Sequence, residues 1–245
     1  MEYAVLALAG SATALATGVG ALPISRLGVH AGTLRPVLWG MTVGLMTVAS
    51  IVGLLLPALD EGSTRSVVAG LICGVAFLGV SRRALRSRDV HVGRLHGAGV
   101  RQSALVFAVL FVHSLPEGFA IGTAFASDTQ GLGLFVVLAI ALQNVPEGVS
   151  VAIPMQEAGF RPRQQFWAAV LTSAPQPVGA LIAYALVQQV EALLAFSFAF
   201  AAGAMLALVV DLVPVAFKRG TLTLSIAGVA IGALLMLLLA ALVGV

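Results

Sequence analysis

Ionisable side chains inside long apolar runs cost several kcal/mol each in a membrane and by default mark function. In this chain they are His113, Glu117, Glu147 and Asp211. Three of them fall in a frame that occurs twice, His113-Ser114-Leu115-Pro116-Glu117-Gly118 and Gln143-Asn144-Val145-Pro146-Glu147-Gly148. On a helix, positions i and i+4 share a face, so His113 stacks with Glu117 and Gln143 stacks with Glu147. Each face presents one neutral and one acidic donor. Pro116 and Pro146 each remove a backbone hydrogen bond, free the carbonyls of Val112 and Leu142, and predict a kink in both helices. Gly118 and Gly148 admit the close approach of another backbone or a ligand. One imidazole nitrogen, several oxygens and two negative charges suit a divalent ion such as Zn2+, Fe2+, Mn2+, Co2+ or Cd2+ better than Cu+ or Mg2+. The structural alternative is a pair of kinked helices joined by hydrogen bonds between protonated acids. Two carboxylates, a His and a Gln at matching depth are a costly way to build a kink.

The elements that carry these residues follow from composition. The 245 residues are 60% hydrophobic and 9% charged, against about 25% charged in a soluble domain. Apolar runs of roughly 20 residues, the length that crosses a bilayer, recur along the chain. Segments such as Leu222 to Val245 show no polar alternation, which argues against β-barrel strands. The fold class is therefore all-α: a single transmembrane domain over 1–245 with eight spans, at about 3–22, 36–59, 65–80, 102–126, 131–156, 166–189, 193–217 and 221–245. The first span is expected to be retained, since no basic region precedes it. Cys73 stands alone, which leaves no disulfide framework.

Positive charge sorts by connection. Arg26 and Arg35 lie in the first, Arg82, Arg83, Arg86, Arg88, Arg94 and Arg101 in the third, Arg161 and Arg163 in the fifth, and Lys218 and Arg219 in the seventh. Arg65, the remaining one, shares its connection with Asp60 and Glu61. Odd connections are thus expected in the cytoplasm and both termini outside it. The high pI of 9.8 then reflects topology, and no nucleic-acid partner is implied. The basic loop 81–101 also holds His91 and His96, a weak metal signal against that of a solvated loop. His113 lies about 12 residues into its span, roughly 18 Å deep, and Gln143 lies equally deep from the other side. The two motifs are expected to face each other near the bilayer midplane, as transporter sites do.

These residues resemble the ZIP family of metal transporters, whose fourth helix typically reads His-Asn-x-Pro-Glu-Gly and whose fifth reads His/Gln-Asn/Asp-x-Pro-Glu-Gly. Leu171-Thr172-Ser173-Ala174-Pro175-Gln176-Pro177-Val178-Gly179 is similar to that family's sixth helix, and Phe200-Ala201-Ala202-Gly203-Ala204-Met205 with Val209-Val210-Asp211 to its seventh. The resemblance implies uptake of divalent transition metals, Zn2+ foremost, through His113, Glu117, Gln143 and Glu147. The metal is cargo, and no cofactor is expected. Some members bridge a second ion with the same two carboxylates, the residue after each first ligand, and a Glu in the sixth helix. Those positions here are Ser114, Asn144 and Gln176, an auxiliary or degenerate site. Two divalent ions against Glu117 and Glu147 alone would repel strongly where water is scarce, so one ion is expected. The resemblance also implies an elevator-like motion of helices one, four, five and six against two, three, seven and eight.

Asp60, Glu61, Asp211, His91 and His96 are candidates for the ion's route. The expected partners are a divalent cation and the lipid bilayer, with a homodimer left open, and the expected location is a prokaryotic plasma (inner) membrane. The chain is not expected to be an enzyme, because an intramembrane metalloprotease would need a His-Glu-x-x-His helix. A proton-coupled carrier of another small solute is the alternative, since buried Glu and His also serve proton relays.

Overall fold

A computed structural model describes residues 2–24, 31–86, 98–217 and 220–245, with the backbone alone at 31–33, 86 and 98–101. Among the described residues there are helices and no strand. Helix α1 is Glu2–Ala21. Helix α2 begins as Ala31–Ser50, passes through a π-helical turn at Ile51–Leu55 and finishes as Leu56–Glu61. Then come α3 (Thr64–Arg86), α4 (Ala98–Ala126) and α5 (Leu132–Glu157). The sixth is in two pieces, α6a (Pro162–Thr172) and α6b (Pro175–Gln189), followed by α7 (Leu193–Ala216) and α8 (Leu222–Val243). Eight helical stretches among the described residues are long and apolar enough to cross a bilayer.

Proline explains both interruptions. Pro57 has no N–H for the carbonyl of Gly53, and the turn just before it widens so that Leu56 bonds back to Ile51. At the second, Ser173 and Ala174 donate three residues back, to Val170 and Leu171 (3.1 and 3.2 Å), and Pro175 has nothing to donate. The α ladder therefore stops at Thr172 and restarts at Pro175. Helix α3 runs on past its apolar stretch to Arg86, because arginines at a helix end can reach water while their stems stay on apolar surface.

The helices associate in two groups: α1, α4, α5 and α6 in one, α2, α3, α7 and α8 in the other. Lipid tails are as apolar as leucine, so helix association in a membrane depends on close backbone approach at small residues. In the first group that approach is extreme. A Cβ on Gly148 of α5 would lie 1.8 Å from the carbonyl oxygen of Thr17 on α1, and one on Gly118 of α4 would lie 2.3 Å from that of Gln176 on α6b. Each glycine of the repeated frame is thus a crossing point that draws a further helix to the adjacent glutamate.

Glu2 bonds Tyr184, Glu61 accepts from Ser127 (2.9 Å), and Gly131 approaches the end of α8 at Val243. The start of α1, the ends of α6b and α8, and the second and fourth connections therefore share one face, the terminal face. Residues 87–97, with His91 and His96, lie outside the described residues.

Candidate metal centre

His113 and Glu117 on α4, and Gln143 and Glu147 on α5, are buried together, the first three at 0% exposure and Glu147 at 3%. The stacking expected within the first frame is present: His113 Nε2 lies 3.7 Å from Glu117 Oε1. The antiparallel pairing is present too, since Gln143 Nε2 donates to Glu117 Oε1 at 2.5 Å. One donor atom from each of His113, Glu117 and Glu147 lies within 4.8 Å of the other two. A first-row ion bonded at about 2.0–2.2 Å needs its ligands about 3–4 Å apart, so sub-ångström side-chain shifts would close these three around it.

Hydrogen bonding is incomplete at this point of the structure. Both ring nitrogens of His113, Oε1 of Gln143 and Oε1 of Glu147 are buried without a hydrogen-bond partner. A buried polar atom left unpaired costs about 1–3 kcal/mol, and most folds leave few. All four here are of ligand type: a cation can bond one nitrogen of His113, though not both, together with carboxamide and carboxylate oxygens.

The other side of Glu117 is fully bonded. Gln176 Nε2 donates to Glu117 Oε2 at 2.7 Å, and Asn144 Nδ2 lies 3.2 Å from Gln176 Oε1. Ser114 turns its hydroxyl to the carbonyl of Leu110 (2.9 Å). Sequence reasoning missed Thr13 of α1, whose hydroxyl donates to Gln176 Oε1 at 2.7 Å, and the neighbouring pair Thr17 and Ser173 at 2.7 Å. The available signal was the stripe Gly10, Thr13, Thr17 and Gly20, spaced as one helical face of small and hydroxyl residues.

Asp211 is ion-paired with Arg82 across α7 and α3. Both line a cavity of about 340 Å³ that reaches Glu147. An adjoining cavity of about 330 Å³ shares Trp39, Val106, Ser150 and Val215 with it and extends to the exposed pair Arg35 and Glu157. The cluster is therefore approached from the face opposite the termini. Toward the terminal face it is covered by Leu54, Ala120, Phe135, Val136, Ala139, Ile140 and Met205, all at most 3% exposed. Asp60 and Glu61 sit exposed at the end of α2 on that far side, with Glu61 bonded to Ser127 and Thr129. The structure does not bring them to the cluster.

A chain whose described residues include eight bilayer-length helices, two proline-interrupted, with imidazole, carboxamide and carboxylate groups buried where two helix groups meet, is a membrane transport protein. Residues 79–240 match the family described as ZIP Zinc transporter. The chain is 32% identical over 221 residues to the zinc transporter GufA of Myxococcus xanthus, covering 84% of this chain and 85% of that one. It is 31% identical over 250 residues to the zinc transporter ZIPB of Bordetella bronchiseptica, covering 97% and 80%. It is also 32% identical over 227 residues to a longer protein of Arabidopsis thaliana, of which it spans 36%. The chain belongs to the ZIP zinc transporter family, a family of transporters and not of enzymes.

Proposed function

We propose that this protein carries divalent transition-metal cations across the plasma membrane of a prokaryote into the cytoplasm, Zn2+ foremost, with Fe2+, Mn2+, Co2+ and Cd2+ acceptable to the same ligands. The ion is held one at a time by His113, Glu117, Gln143 and Glu147. The observation that carries this reading is the cluster of buried, unpartnered ligand atoms on His113, Gln143 and Glu147 around the carboxylate of Glu117. Carboxylates and an imidazole together favour borderline divalent ions, and two negative charges balance one such ion. The bacterial relatives, both named as zinc transporters, support Zn2+ as the first cargo.

The cavity lined by Glu147, Ser150 and Asp211 is the exit route in this reading. Its mouth lies among the arginine-bearing helix ends that the distribution of positive charge assigns to the cytoplasm. Along it Asp211 is paired with Arg82 and Glu157 with Arg35, so the released ion meets acids already neutralised by arginine. Uptake of radioactive zinc into proteoliposomes tests the reading. Glu117→Ala and Glu147→Ala should each abolish it, and undiminished uptake by either would remove the site assignment.

A further inference from the structure

Gln176 sits fully buried at the restart of the broken sixth helix, and both ends of its amide are bonded. Its Nε2 donates to Glu117 Oε2 at 2.7 Å and lies 3.4 Å from Asn144 Oδ1. Its Oε1 accepts from Thr13 Oγ1 at 2.7 Å and from Asn144 Nδ2 at 3.2 Å. Shape alone does not tell an amide oxygen from its nitrogen, but bonding to a group of known polarity does. That group is the backbone carbonyl of Thr13, which can only accept, and Asn144 Nδ2 meets it at 2.7 Å. The NH2 of Asn144 is thereby fixed, and its second hydrogen requires an oxygen at Gln176. The hydroxyl of Thr13 has one hydrogen and two acceptors within reach, the carbonyl of Gly10 at 2.9 Å and this oxygen at 2.7 Å; with the oxygen set there by Asn144, the hydrogen goes to Gln176. What remains to face Glu117 is the NH2 of Gln176.

Helix α1 reaches this network because Gly10 lies against Pro177, where a Cβ would stand 2.6 Å from the proline Cα. Thr13, Asn144, Gln176 and Glu117 are each 0% exposed, so no water competes for these bonds. The two oxygens of Glu117 consequently differ. Oε1 lies 3.7 Å from His113 Nε2 and accepts from Gln143 Nε2 at 2.5 Å, but the oxygen of that amide is unpartnered. Oε2 instead meets the N–H of Gln176, an amide bonded at both ends, whose positive end lies where a second cation would need to bind. A hydrogen bond from a fixed donor to a carboxylate is strong in such surroundings.

We propose that Thr13 is a positioning residue of the metal centre: with Asn144 it locks Gln176 so that its N–H end meets Glu117, which limits the centre to one ion. This rests on the reading of the cluster as a divalent-cation site. The ion then takes the face of Glu117 that Gln143 vacates when its amide turns its unpartnered oxygen to the ion, together with His113 and Glu147, while the other face stays held by the locked amide of Gln176.

Equilibrium dialysis of the purified full-length protein with Zn2+ measures both affinity and ions bound per chain. Thr13→Val keeps the shape and removes the hydroxyl; it should weaken binding about tenfold, as loss of a partner behind a ligand does. Thr13→Ser should restore it. In a Gln176→Ala background Thr13→Val should have no further effect, since the hydroxyl acts through Gln176. Gln176→Glu keeps an oxygen for Thr13 and Asn144 and offers a carboxylate beside Glu117, so it should raise occupancy from one ion per chain to two. Unchanged affinity in Thr13→Val, or its full effect added to that of Gln176→Ala, overturns the positioning role. One ion per chain in Gln176→Glu overturns the limit on stoichiometry. An unaltered protein that binds no Zn2+ removes the transport reading itself and this proposal with it, a failure distinct from the other two.

Discussion

Glu117 is the residue on which the centre turns, because every other polar group of the cluster is placed by reference to it. Gln143 and Gln176 donate to its two oxygens, and His113 stands one helical turn before it. A ligand that binds the folded state alone stabilises it by about 2.7 kcal/mol at a hundred times its dissociation constant, which in a chain of this size is roughly 5–10 °C in Tm. Saturating Zn2+ should therefore raise the melting temperature of the purified protein by that amount, a chelator should reverse it, and Glu147→Ala should abolish it. Mg2+, which keeps its water shell and prefers octahedral oxygen, should give no such shift. Imidazole and carboxylates bind metal only when deprotonated, so protons compete with the ion. Zn2+ affinity should accordingly fall from neutral to mildly acidic pH, and pH-independent binding would exclude these ligands.

At the scale of the helix, the glutamates reach one another because the glycine after each lets a third helix close in. Gly148→Ala should destabilise strongly, since its Cβ would stand 1.8 Å from the backbone oxygen of Thr17 and α1 would have to move away. Overpacking of this kind costs about 1–3 kcal/mol or more. Gly79→Ala on α3, with nothing within 4 Å of the added carbon, should be neutral or slightly stabilising. Thermal unfolding of the two variants in parallel makes the comparison. The helical spans and the paired frame were legible in the sequence because helical periodicity alone puts i and i+4 on one face. Thr13 was not. Hydroxyl residues in spans usually bond their own backbone one turn back, as Thr42, Thr47, Ser50 and Ser114 do here. Only the approach of α6b to α1 distinguishes Thr13 from them. The break at Ser173 and Ala174 was signalled by Pro175 and Pro177, and the π-helical turn by Pro57, but a proline does not say whether its helix kinks, widens or stops.

Across the whole molecule, the two helix groups are tied at both faces, by Glu61 to Ser127 and Thr129 on the terminal face and by Arg35 to Glu157 on the other. Any sliding of one group against the other must break such ties, and their strength decides what holds this conformation. Arg35 and Glu157 are 39% and 55% exposed, and an ion pair open to solvent is worth about 0.2–1 kcal/mol, at most roughly a fivefold change in population. The apolar layer of Leu54, Phe135, Ala139 and Met205 is dry and shared between the groups; truncating one large member costs about 3–5 kcal/mol. The layer, and not the ion pair, therefore sets the balance. Thiol reactivity in a Cys73→Ser background can weigh the two. A reporter at Ser150→Cys, in the cavity, should react with a water-soluble reagent supplied from the open face, and Arg35→Ala should change that rate less than about fivefold. A reporter at Ala139→Cys should be silent from the terminal face until Phe135→Ala is added, and then react. Equal reactivity of the two reporters without Phe135→Ala would mean that the layer does not seal, and that the exposed ties carry the difference between the two sides of the membrane.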